Sequence, residues 1–201
     1  MSFLSKIFKG RSTTMKEVAM ELGMNYYESD EEELVHSLAG FKVFQRGRSR
    51  KVRNLLSHID QQEDHELCIF DYSIITGGGK NRSRRHFTIF MVRASGMNLP
   101  LFQLKPKYFY HKIGEYIGWT KDIGFDTHPI FTENYLLQGN QEIDIRYIFH
   151  TDLLDFFSRE EGWYLEGFGS DLLFYREHGR ANKEAIPNLF DKGEYVYSLL
   201  R

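Results

Sequence analysis

The stretch that decides the fold runs from Leu67 to Arg93. One arm is Leu67-Cys68-Ile69-Phe70-Asp71-Tyr72-Ser73-Ile74-Ile75 and the other is Phe87-Thr88-Ile89-Phe90-Met91-Val92. Between them lies Thr76-Gly77-Gly78-Gly79-Lys80-Asn81-Arg82-Ser83-Arg84-Arg85, glycine-rich and then basic. β-Branched and aromatic residues fill both arms and polar or glycine clusters bound them, which predicts two strands of a hairpin with a cationic tip.

Working outward, Phe41 to Phe44, Val52 to Ile59, Leu67 to Thr76, His86 to Arg93 and Leu99 to Lys105 read as five strands of an antiparallel meander. Thr13 or Thr14 is expected to cap a helix ending at Gly23, and Asp30 to Leu38 a second helix with Glu31, Glu32 and Glu33 at its positive end. After Pro106, Tyr108 to Ile117 is expected to be helical. Ile143 to Phe149 and Asp152 to Arg159 form a helix pair, with Thr151 as the second N-cap. A hairpin of Trp163 to Phe168 and Leu172 to Tyr175 turns at Gly169-Ser170, and Lys183 to Leu200 closes the chain as a helix with Pro187 near its first turn. The expected fold is α+β: a five-stranded antiparallel meander, then helices, then a C-terminal β-hairpin plus helix.

The 201 residues suit an amphipathic basic segment over 1–12 and a single α+β domain over 13–201. In the first segment Phe3, Leu4, Ile7 and Phe8 fall at helical spacing with Lys6, Lys9 and Arg11 among them, a pattern suited to a membrane surface or to the core. No run reaches about 18 apolar residues, so the expected location is cytoplasmic or peripheral to the inner face of a membrane. The one cysteine, Cys68, lies in an apolar strand and reads as a buried small residue in a reducing compartment.

Charge is informative by position. Residues 41–112 carry 14 Lys and Arg against 5 Asp and Glu, net +9, whereas the rest of the chain carries 12 against 23, net −11. That polarity favours an anionic partner for the middle of the chain: an acidic lipid surface, a phosphate-bearing ligand or an acidic protein. The candidate anion-binding residues are Arg46, Arg48, Arg50, Lys80, Arg82, Arg84 and Arg85.

The motifs of catalysis are less well met. Gly77-Gly78-Gly79-Lys80 lacks the first glycine of a phosphate loop, has Asn81 where Ser or Thr belongs, and leads into a strand rather than a helix. His58, Asp60, Glu63, Asp64 and His65 have no zinc or calcium spacing, and His111 with Glu115 lacks a second histidine. Cys68 would need a base such as His86 to act as a nucleophile. No metal and no cofactor is expected. Asp71 is the candidate functional acid, since a carboxylate in an apolar strand is costly without a partner; Arg84 or Arg85 from the opposite arm is the expected one. Sequence-specific nucleic-acid recognition is disfavoured by a pI near 6.5 and by the absence of a basic recognition helix.

Phe41-x-x-Phe44-x-x-Gly47, Asn54-Leu55-Leu56, Phe70-Asp71-Tyr72 with its Gly-Lys turn, Leu99-Pro100-Leu101-Phe102-x-Leu104-x-Pro106, Asp122-Ile123-x-Phe125, and Phe131-x-x-x-Tyr135-x-Leu137-x-Gly139 with Arg146 and Phe149 form a pattern. It resembles an uncharacterised family of bacterial domains over about Phe41 to Tyr175. In that family the domain often follows transmembrane helices, which this sequence lacks, and no activity or ligand is assigned. The resemblance implies a bacterial cytosolic or membrane-tethered module and transfers no functional residue. The leading expectation is a non-enzymatic binding or regulatory module using the basic hairpin face. The rivals are an enzyme acting on a phosphorylated or acidic metabolite with Asp71 and a histidine such as His86 or His111, and a self-assembling interaction domain or homo-oligomer joined through an exposed strand edge.

Overall fold

The computed structural model describes residues 3–29, 33–107, 122–177 and 179–201. The expected helix over Tyr108 to Ile117, with His111 and Glu115, lies outside them.

Eight antiparallel strands form one sheet, in the order β1-β2-β3-β4-β8-β7-β5-β6. They are β1 (Asn25–Tyr27), β2 (Arg48–Asp60), β3 (His65–Thr76), β4 (Ser83–Ala94), β5 (Leu99–Pro106), β6 (Tyr135–Gly139), β7 (Tyr164–Gly169) and β8 (Asp171–Tyr175). Among the described residues the helices are α1 (Phe3–Glu21), α2 (Glu33–Ser37), α3 (Lys42–Gln45), α4 (Pro129–Asn134), α5 (Glu142–Ile148), α6 (Thr151–Arg159) and α7 (Ala185–Leu199). The class is therefore α+β with a fully antiparallel sheet.

The hairpin of β3 and β4 is its centre, in unbroken register from His65 opposite Ala94 to Thr76 opposite Ser83. Helices cover both faces, which is why β3 reads as a continuous apolar run instead of alternating. Toward one face Leu67, Ile69, Phe90 and Val92 meet Met15 and Val18 of α1, Leu153 and Phe157 of α6, and Ile186, Leu189 and Val196 of α7. Toward the other, Phe70, Tyr72, Ile74, Phe87 and Ile89 meet Leu34 of α2, Leu38 in the turn after it, and Val43 and Phe44 of α3. Helix α7 comes closest at Gly193, where a Cβ would stand 2.3 Å from Cδ1 of Phe90.

Three expectations are corrected. Phe41 to Phe44 is not a strand: Phe41 precedes the short helix α3, and its ring and that of Phe44 are buried beneath the sheet. The five-stranded meander stops at β4, because the hairpin β7-β8 inserts between β4 and β5. Local turn signals could not show this, since Ser95-Gly96 marks a turn without saying which strand follows as neighbour. Helix α1 is one continuous helix across the expected start at Thr13 or Thr14. The edge strands β1 and β6 carry weaker sequence signals and were not expected as strands.

Candidate anion-binding site

Strand β4 extends beyond its partner. Its pairing with β8 begins at Ile89 opposite Tyr175, so Ser83 to Thr88 form an edge on that side. The chain leaving β8 passes this edge, and Arg84, Arg85, His86, Glu177, Gly179 and Arg180 line a cleft of about 430 Å³ between them. Strand alternation sends Arg84 and His86 toward the α1 face and Arg85 toward the α3 face, so the cleft collects side chains from both faces of the sheet edge.

The acids near the cleft are already engaged. Glu177, whose side chain is only 1% exposed, is bridged by Arg46 through both guanidinium nitrogens and approached by Arg85 at 3.5 Å. Burial opposes the charge on Arg46, but the Glu177 hydrogen bond and charge outweigh it and strengthen the guanidinium's hold on its proton.

Behind the cleft, the Asp71 carboxylate is also 1% exposed. Arg11 of α1 grips it with two parallel bonds, Nε to Oδ2 at 2.9 Å and Nη2 to Oδ1 at 2.8 Å. Thr88 Oγ1 donates to Oδ1 at 2.9 Å and Asn54 Nδ2 to Oδ2 at 3.0 Å. Each oxygen thus accepts two hydrogen bonds, leaving no lone pair well placed for proton transfer. Asn54 is held in turn by Ser12 and Tyr26, while the Ala181 amide donates to Thr88 Oγ1 at 3.0 Å and Arg11 donates to the Ala181 carbonyl at 2.7 Å. The network ties α1, four strands and the segment after Gly179 together. The expected partners Arg84 and Arg85 are not those of Asp71. They stand opposite Ile75 and Ile74, too far along the ladder, and Arg11 comes from α1 instead.

Arg180 lies between the network and the cleft. Its Nε is 3.7 Å from Asp71 Oδ2, and its Nη2 donates to His86 Nδ1 at 3.1 Å. Burial lowers the pKa of Arg180; Asp71 opposes this, and Arg11, Arg53 and Arg84 add to it by repulsion. His86 is held below its ordinary value by burial and then by Arg180 and Arg84, against a smaller opposing pull from Asp71. Burial is the main cause of both shifts, and neighbouring guanidinium groups add to each. Arg84 is exposed, lines the cleft and has no acidic partner among the described residues.

The remaining candidates disperse. Arg50 folds back on the carbonyls of Gln45 and Gly47 at 3.1 and 3.3 Å, where it caps the end of α3. Arg48 is exposed at the start of β2, and Lys80 and Arg82 are exposed at the hairpin tip, in and just after the single turn of 3-10 helix Gly79–Asn81. Arg46 reaches the cleft only through Glu177.

Elsewhere the motifs resolve into structure. Cys68 lies opposite Met91, not near His86, and burial and then Glu66 push its thiol up, away from thiolate chemistry. Asp60 accepts the amides of Gln62 and Glu63 at 2.8 and 3.1 Å and so shapes the turn before β3. No group of three His, Cys, Asp or Glu suited to a metal occurs among the described residues. Two residues lining the cleft escaped sequence reasoning, Arg180 and Glu177. They lie in the acidic part of the chain, and only the placement of β8 beside β4 brings them to the basic hairpin.

No protein-family model and no curated protein matches this chain. Among solved structures it is similar to the crystal structure of the mycobacterial trehalose monomycolate transport factor A, TtfA, with a TM-score of 0.66 at 12% identity over 96% of this chain and 95% of that one. The two share a fold. No described helix is long and apolar enough to cross a membrane.

Proposed function

We propose that this protein is a non-enzymatic binding or regulatory module of a bacterial cell that engages an anionic partner at the basic end of its sheet. The observation that carries this reading is the convergence of Arg84, Arg85, Arg180 and His86 on one cleft, where Glu177 in its wall is paired with Arg46 and Arg85, and Asp71 behind it with Arg11. Lys80 and Arg82 at the exposed tip extend the positive surface and suit encounter with a larger acidic surface. The cytoplasmic face of a membrane is a natural place for such a module.

The enzymatic alternative loses its acid, since Asp71 is saturated by Arg11, Thr88 and Asn54. Assembly through strand edges has little support. Beside β6 the Ile123 amide donates to the Leu137 carbonyl at 2.8 Å, and the open half of β2 bears Arg48, Arg50, Lys51 and Arg53.

The test is binding to vesicles containing phosphatidylglycerol or phosphatidic acid, and to single-stranded DNA, across a salt series. Binding at low salt that falls as salt rises, and falls further when Arg82, Arg84 and Arg85 are changed to Ser, is expected. No binding at low salt, or binding indifferent to those substitutions, overturns the proposal.

A further inference from the structure

Resting on the anionic-partner reading above, we propose that the open end of β4, from Ser83 to Phe87, is a docking site for an extended acidic peptide segment of another protein. The segment adds to the eight-stranded sheet there as a further strand.

The backbone marks the place. The Ala94 amide donates to the Ser170 carbonyl at 2.9 Å, so Ala94 directs its polar groups to the β8 side. Strand alternation, in unbroken register from Ala94 to Ser83, then sends the amides and carbonyls of His86 and Arg84 to that same side. Strand β8 has already ended at Tyr175, opposite Ile89, and no backbone hydrogen bond among the described residues replaces it at Arg84 or His86. The chain after β8 leaves the ladder, and Gly179 and Arg180 bound a cleft of about 430 Å³ beside this edge.

The other open edges of the sheet are blunted. On β2 the register shifts twice, between Arg48 and Lys51 and between Arg53 and Leu56, with Ser49 and Asn54 both at a φ of 52°. Such bulges turn an edge away from further pairing. Strand β1 spans three residues, and β6 is met by the Ile123 amide. The end of β4 has neither a bulge nor a cover.

The side chains select the sign. Lys80, Arg82 and Arg84 are exposed and have no acidic partner among the described residues. Arg180 adds nothing to this set, because it faces Asp71 and donates to His86, and the Glu177 carboxylate in the cleft wall is held by Arg46 and Arg85. Arg82 is extended and two residues from Arg84, so both follow one alternation. Acids at every second position of an added strand repeat at the same spacing, about 7 Å. Two copies of this edge would instead set cations against cations.

The backbone groups select a peptide over a lipid or a nucleic acid. Phosphate oxygens accept hydrogen bonds but offer none to the carbonyls of Arg84 and His86, whereas a peptide backbone supplies both donor and acceptor.

The test is a nuclear magnetic resonance titration of the full chain at low salt with the blocked hexapeptide acetyl-Glu-Val-Glu-Val-Glu-Val-amide. Saturable binding of one peptide per chain is expected, with amide hydrogen exchange at Arg84 and His86 slowed about tenfold or more at saturation. Exchange at Arg85 and Phe87, whose amides face β3, stays unchanged. The same peptide with Lys for Glu, or methylated at every backbone nitrogen, binds at least about tenfold more weakly. Arg84→Ser, which keeps the amide and removes the charge, weakens binding about two- to fivefold.

Equal binding of the methylated or the Lys peptide, exchange at Arg84 and His86 left unchanged, or indifference to Arg84→Ser overturns the proposal. If anionic vesicles bind in a salt-dependent way but the acidic peptide does not, the strand-addition inference falls and the broader reading stands. If neither binds at low salt, both fall.

Discussion

Asp71 shows what a single residue settles here. The sequence marks it as an anomaly, an acid within an apolar strand, and the structure explains it as the centre of a buried network rather than a reactive group. Replacing it with Asn removes the charge that Arg11 was buried to meet, and breaking a buried pair from one side costs about 3–5 kcal/mol. Denaturant unfolding of Asp71→Asn is expected to show a loss of that order, with much of it recovered when Arg11→Met is combined with Asp71→Leu.

His86 makes a second residue-scale prediction. Its folded pKa lies below the ordinary value of 6.5, with burial the main cause and Arg180 and Arg84 adding to it. The unfolded chain therefore takes up the proton first as pH falls. The stability tied to the neutral ring is complete above that ordinary value and is lost as pH falls through the lower folded pKa. Stability measured across that window is expected to drop for the natural chain and to drop less for His86→Gln.

The residues of the family-like pattern prove to be joints. Gly47 has a φ of 63° and lies where a Cβ would come 2.7 Å from the Ile75 carbonyl oxygen. Asp122 Oδ1 accepts the amide of Leu137 at 3.2 Å, and Arg146 donates to the Gly124 carbonyl at 2.8 Å while its guanidinium lies over Phe125. Such positions keep a fold in register.

At the scale of elements, the β3-β4 hairpin, the hairpin β7-β8 and helices α5, α6 and α7 were legible because each has a local signature: a turn, a period or a break. The neighbour relations were not. Nothing near Ala94 states that β8 rather than β5 lies beside β4, because that choice is made by burial of β8's Leu172, Leu173 and Phe174 against residues far away in the chain.

Helix α3 is an instructive failure, since Phe41 to Phe44 carries aromatic residues with strand propensity. What overrides propensity is Glu166 of β7, which is 1% exposed and receives the amides of Lys42 at 2.6 Å and Val43 at 3.2 Å, with Gln103 at 3.1 Å and the Tyr175 hydroxyl at 2.7 Å. Burial raises the pKa of this carboxyl despite those donors. Glu166→Gln sets an NH₂ group against one of the amides, leaving two donors facing each other. It is expected to destabilise the chain by about 1–3 kcal/mol in thermal or denaturant unfolding, where a merely space-filling side chain would tolerate the isostere.

For the whole molecule, the charge split drawn from sequence was informative but too coarse. Two of the basic residues it singled out serve the fold: Arg50 closes α3 and Arg46 neutralises Glu177. The positive cleft draws on Arg180, which lies in the acidic portion and becomes a neighbour of Arg84 only when β8 docks on β4. Polarity along the chain predicted an anionic partner; polarity in space narrows the place where it would sit.

The most direct measurement of that claim is a residue-resolved nuclear magnetic resonance titration of the ¹⁵N-labelled protein with phenyl phosphate at low salt. The account predicts saturating shifts concentrated at the amides of Arg84, Arg85, His86, Gly179 and Arg180, with Lys80 and Arg82 at the tip moving little. Shifts confined to the tip, or spread evenly over every exposed Lys and Arg, would contradict it.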